Sequence, residues 1–266
     1  MNHIEPSNER NAIKVVAFAL EFIEEIEESL IHEVITLYQG NNKLKETLPR
    51  KELHQSVIIQ LGSLQQATSK PVGGVTFDCL SPDGTQKWAL SLRTNALIIS
   101  CAEYTRWEEI WLQAKEYFAL ILPLLSEKHF SLVALEYIDE FIIKSDPYSN
   151  EWKNELFKED SKYIPSNIYE VQNLWHSHHG FISNEGNGDM STLNNVNIDH
   201  ISEQSLVNKI IIRTQHKSQF LQPRLYEGDF LNEIVENIFN KNHGENKRIM
   251  RDLLSDEMCS EINLGE

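Results

Sequence analysis

Cysteine is scarce in this sequence, no long apolar run occurs, phosphate-binding glycine loops are missing, and basic residues are outnumbered. Each shortage removes a class of protein. The three cysteines, Cys79, Cys101 and Cys259, are an odd number at wide spacing with no CxxC pair, which argues against a disulfide framework. No stretch of about 18 apolar residues is available to span a bilayer. The first residues lack a cationic start followed by an apolar core, so no secretion signal is expected and the expected compartment is the cytoplasm, away from the membrane. The 24 basic residues face 40 acidic ones, a formal net charge of −16. That balance argues against a nonspecific grip on nucleic acid or an anionic membrane, and it favours a basic protein as partner.

What is present is an ordinary globular composition, 41% hydrophobic and 24% charged in 266 residues, enough chain for a full core. Ile13 to Phe22 has apolar residues on both faces of a strand, which predicts a central one. An acidic helix is expected from Glu24 to Tyr38, with Ile26, Leu30, Val34 and Leu37 along one stripe. A short strand is expected over Ser56 to Leu61. The clearest local signal is an antiparallel meander: Val75, Phe77 and Cys79 alternate with polar residues, Ser81-Pro82-Asp83-Gly84 turns, Trp88, Leu90 and Leu92 return, and Thr94-Asn95 turns again into Ala96 to Cys101. Thr105-Arg106-Trp107-Glu108 reads as a capping box before a core helix carrying Trp107, Trp111, Ala114, Phe118 and Ile121. Leu132 to Lys144 closes this half as a strand.

Asp146-Pro147 and Pro165-Ser166-Asn167 bracket a junction with a short helix at Trp152 to Phe157, and the boundary between two halves is expected here. The second half repeats the plan: strands near Leu174 to Ile182, Leu193 to Ile201 and Lys209 to Gln219, then a long C-terminal helix from Phe230. Asp229 should cap that helix, Asn242-His243-Gly244 should bend or break it, and Ser255 should cap a last turn. The fold class is therefore α+β. Residues 1–145 and 146–266 form two antiparallel-sheet halves, each packed with helices, or one compact unit.

Candidate chemistry is thin. No GxSxG turn appears and no cysteine has a basic neighbour to activate it, so no nucleophile is nominated. Gly73-Gly74 precedes a strand instead of opening a helix, which disfavours nucleotide binding. Glu136 and Asp139 fall on opposite faces of their strand, unsuited to shared acid–base work. The run Glu21, Glu24, Glu25, Glu27 and Glu28 reads as a solvated helix face. Lys241, Lys247, Arg248 and Arg251 read the same way, and the aromatics Tyr104, Trp107 and Trp111 read as core with Arg106 exposed. The histidines are the one constellation with chemical interest: in Trp175-His176-Ser177-His178-His179 the period of two puts His176 and His178 on one face, and His200 and His216 lie on strands that could neighbour them. A zinc or iron site can be drawn from these four, with Asp199 as a carboxylate. Cross-strand pairing on a solvated sheet explains the same residues without a cofactor.

Several segments together resemble a sporadically distributed family of bacterial and archaeal accessory proteins of about this length, itself without a settled biochemical function. The resemblance rests on Val15 to Phe22, Asp83-Gly84 to Cys101, Glu103-Tyr104-Thr105-Arg106-Trp107-Glu108, Leu135-Glu136-Tyr137-Ile138-Asp139 and His243 to Met258. Where that family reads closer to Leu-Arg-Tyr-Ile-Asn, this chain has Glu136 and Asp139. The resemblance implies a gene that comes and goes between strains, in toxin–antitoxin or anti-phage settings, and it carries over no catalytic residue. The expected function is a non-catalytic binding or regulatory protein working through protein–protein contacts. Two alternatives stand beside it: a metal-dependent enzyme using His176 and His178, and an acidic inhibitor imitating nucleic acid through Glu21 to Glu28. Antiparallel sheet edges leave a homodimer open.

Overall fold

The computed structural model describes residues 3–8, 11–57, 69–147, 149–172, 174–184, 188–202 and 207–264. The fold is α+β. Its strands are β1 (Ile4–Pro6), β2 (Ile13–Phe22), β3 (Arg50–Val57), β4 (Ser69–Leu80), β5 (Gln86–Arg93), β6 (Ala96–Cys101), β7 (Phe130–Ile143), β8 (His176–Asn184), β9 (Met190–Ser202) and β10 (Asn208–Arg224). They join one ten-stranded sheet in the order β3-β4-β5-β6-β2-β7-β10-β9-β8, with β1 on β7. The helices are α1 (Glu28–Gly40), α2 (Asn42–Thr47), α3 (Trp107–Ile121), α4 (Glu151–Leu156), α5 (Glu236–Leu253) and α6 (Asp256–Glu261), with a π-helical segment at Phe230–Val235. Among the described residues no helix is long and apolar enough to cross a membrane.

Contacts divide the chain into two units. One holds residues 1–16, 134–219 and 236–266; the other holds 17–133 and 220–235. The single boundary near residue 145 expected from the sequence is therefore replaced by crossings within β2, β7 and β10 and at the start of α5. Sequence punctuation marks loops, whereas strand pairing joins residues far apart in the chain, so a partition made by long strands leaves no linker to read.

In the second unit the meander has the expected register. Val75 faces Leu92, Phe77 faces Leu90 and Trp88 faces Cys101. Its first turn is closed by Ser81 and Thr85, with Gly84 at φ +87° as the tight turn requires. The face bearing Phe18, Phe77, Leu90 and Ile99 is fully buried. Phe18 lies 5.7 Å from both Trp107 and Trp111, and Tyr38 stacks on Phe77 at 4.1 Å. These tryptophans are core, and Arg106 is exposed.

Two local expectations change. The capping box does not form: Arg106 occupies the N-cap position, and the Thr105 hydroxyl bonds the Glu109 carboxylate instead. Helix α1 starts at Glu28, later than Glu24, because Ile23 and Ile26 donate their N–H groups to His129 and Thr94. The expected strand near Ser56 begins earlier, at Arg50, and residues 58–61 lie outside the described residues.

In the first unit, α4, α5, α6 and the buried faces of β7, β9 and β10 enclose a core that includes Phe141, Trp152, Phe157, Ile198, Ile210, Ile212, Ile249 and Leu253. Helix α5 runs unbroken through Asn242-His243-Gly244. Side-chain bonds compensate for poor helix propensity there: His243 Nδ1 meets the Tyr137 hydroxyl at 2.8 Å, and Asn242 and Asn246 bond into the sheet. Ser255 caps α6, accepting from the Met258 amide.

Candidate functional site

The histidine strand β8 is the outer strand of the first unit's sheet. Antiparallel partners project to the same side. His176 faces Asp199 and His178 faces Asn197, so both imidazoles share the solvent face of β9 with Asp199. The two rings lie 5.2 Å apart, and His178 Nε2 is 3.8 Å from an Asp199 carboxylate oxygen. His179 is on the other face, against Tyr163.

His200 and His216 project from the buried face, and the structure does not bring the four histidines together. His200 sits among aromatic rings, 5.2 Å from Trp152 and 6.4 Å from Trp175, with neither ring nitrogen hydrogen-bonded among the described residues. Burial, helped by the Lys153 charge, pushes its pKa down to about 4. His216 belongs to a buried polar seam under α5. Its Nδ1 donates to Asn194 Oδ1 at 2.7 Å, and Thr192, Ser218 and Asn242 continue the chain of bonds. Burial pushes this imidazole down to about 4 as well, against a partly compensating contact with Asn246. Both rings are held neutral, and a strand's sidedness, which the period of two does carry, settles that they cannot join His176 and His178. Among the described residues no group of three or more His, Cys, Asp or Glu side chains has metal-binding geometry.

Asp139 is the second unusual group. It lies on the buried face of β7 beside Tyr137 and Phe141, one carboxylate oxygen has no hydrogen-bond partner among the described residues, and burial lifts its pKa to about 7. Glu136 faces the other side, where it accepts from Gln215. The Cys101 thiol is pushed up to about 12 by burial and is inert as a nucleophile at neutral pH.

The second unit holds two further clusters that the sequence did not single out. On the sheet side opposite Phe77, Asp78 is buried in a two-pronged bond to Arg50 with Gln86 added. The Arg50 bond holds the Asp78 carboxyl below its usual range. Beside it, His54, Thr76 and Ser91 form a chain of contacts at 2.8 and 2.7 Å. The other cluster lines an open cavity of about 420 Å³ between His129 and the segment from Pro223 to Ile234. Glu24, read from sequence as part of a solvated acidic run, grips His129 there through both its backbone N–H and Nδ1, at 2.9 and 2.6 Å. Burial works to raise the Glu24 carboxyl, and the bonds from His129 outweigh it, leaving it below the ordinary value. Glu28 lies in the first turn of α1, where the helix dipole favours it. The Glu24–His129 pairing joins residues more than a hundred positions apart, which no local motif signals.

No protein-family model and no curated protein matches this sequence.

Proposed function

We propose that this chain is a non-catalytic binding protein that acts through protein–protein contacts, with β8 as its docking strand. The observation that supports the reading is that, among the described residues, the β8 edge carries no protection. Natural sheet edges are guarded by charges, prolines or bulges. The other end of the sheet has such guards: β3 carries Arg50, Lys51 and Glu52, and its register breaks between His54 and Ser56. Strand β8, nine residues long, contains no Asp, Glu, Lys, Arg or Pro and pairs with β9 without a register shift from His176 to Asn184. Ile182 is 67% exposed on it.

The occupant that fits is an extended segment of a basic protein. Main-chain bonds to the β8 edge would supply affinity, and the net charge of −16 would steer the encounter. The resemblance to accessory proteins of toxin–antitoxin and anti-phage systems supplies a setting in which a basic toxin is such a partner.

The test is co-purification at low salt with the products of neighbouring genes, followed by hydrogen exchange on the complex. Protection of amides 176–184, and loss of the complex in Ile182→Lys, is expected. A chain that retains no partner, or a complex in which those amides exchange freely, removes the reading.

The metal-dependent alternative now rests on His176, His178 and Asp199 alone, favoured by their common face. Zinc or iron titration tests it: stoichiometric binding abolished by changing both histidines to Ala supports it, and binding indifferent to that change removes it.

A further inference from the structure

Arg224, at the end of β10, lies with its guanidinium carbon 5.6 Å from the Phe220 ring centroid. It has no carboxylate partner among the described residues, a lack it shares with Arg93, Arg106 and Arg251; what sets it apart is that it combines a ring contact with a place in a cavity. In a chain with 40 acidic residues against 24 basic ones, an arginine held by a ring and left without a counter-ion is poised for an external anion. A cation–π contact of this kind uses no N–H group, so the forked donors stay available for a carboxylate.

Arg224 lines the 420 Å³ cavity together with His129, Leu225, Phe230 and Ile234. That volume is within the range of small-molecule sites. Its apolar wall is fixed: Phe230 packs on Phe130 at 5.2 Å and on Tyr226 at 6.1 Å. Phe230 and Ile234 both belong to the π-helical segment, a departure from α geometry that is frequent at functional sites. His129 is tethered by Glu24 through Nδ1, which leaves Nε2 without a partner among the described residues. Glu227 is at the same cavity and disfavours a second negative charge.

We propose that this cavity binds a small monocarboxylic acid with an apolar body, its carboxylate on Arg224 and its body against Phe230 and Ile234. The site is independent of the strand-docking reading, since none of its residues lies on β8.

Calorimetric titration of the full chain with 3-phenylpropionate and with 3-phenylpropionamide tests it. Saturable binding of the acid is expected, weakened about tenfold or more in Arg224→Gln and about tenfold weaker for the amide. Glu227→Gln should bind the acid more tightly. Arg224 and Glu227 are exposed, so both variants should fold, and an unchanged circular dichroism spectrum checks this. No saturable binding, equal binding by Arg224→Gln, or equal binding of acid and amide would overturn the proposal.

Discussion

Lys153 is 1% exposed, yet its ammonium is fully engaged. It donates to Asn150 Oδ1 at 2.9 Å and to the Ile168 and Val171 carbonyls at 2.8 and 2.7 Å. Burial lowers its pKa, but three oxygens around three N–H groups let the charge persist. A lysine in a loop-rich stretch reads as solvated, so nothing in the sequence marks this one as the tie that holds residues 150–171 onto α4. Lys153→Met keeps the stem and removes the donors. Because hydrogen bonds to a charged group are worth about 1.5–3 kcal/mol each and the charge itself costs energy to bury, a net loss of about 2–4 kcal/mol is expected in urea unfolding. Wild-type stability in that variant would mean the carbonyls find other donors.

Elements were legible wherever periodicity and turn chemistry agreed. Strand β2 has the expected bounds, Ile13 to Phe22, and the Asp83-Gly84 turn and the buried stripe of α3 lie where alternation and helical spacing put them. Errors arose where tertiary bonds override local preference, as at Gly244 within α5 and at Thr105 before α3. Two strand glycines, alike in sequence, differ in what a methyl group would meet. At Gly74 it would come within 2.5 Å of the Leu92 carbonyl oxygen, a fixed backbone atom; at Gly180 it would meet the Asn195 side chain at 2.7 Å, which can rotate away. Gly74→Ala should therefore cost about 2 kcal/mol or more by distorting the β4–β5 ladder, while Gly180→Ala should stay within about 0.5 kcal/mol. Parallel denaturant titrations distinguish them, and equal effects would show that β4 shifts as easily as a side chain.

For the molecule as a whole, composition indicates a folded acidic protein but does not reveal that Asp139, His200 and His216 are buried in one unit with opposing effects between pH 4 and 7. Asp139, raised from 3.8 to about 7 by burial, binds its proton more tightly when folded. Its contribution is fully present below pH 3.8 and is lost as pH rises through 7, on the order of 4 kcal/mol in all. His200 and His216 are lowered from 6.5 to about 4, so their contribution is present above 6.5 and is lost as pH falls through 4, on the order of 3 kcal/mol each. Between pH 7 and 4 the aspartate gains what the histidines lose in part, and the native profile should decline gently there. Asp139→Asn removes the rising term. That variant should be more stable than the native chain at pH 8, should lose the advantage as pH falls toward 4, and should show the steeper acid decline of the two histidines alone. Thermal unfolding followed from pH 8 to pH 4 measures the difference directly. If the two curves run parallel, Asp139 stays ionised in the fold, and a cation or water-borne hydrogen bond must be reaching its unpartnered oxygen.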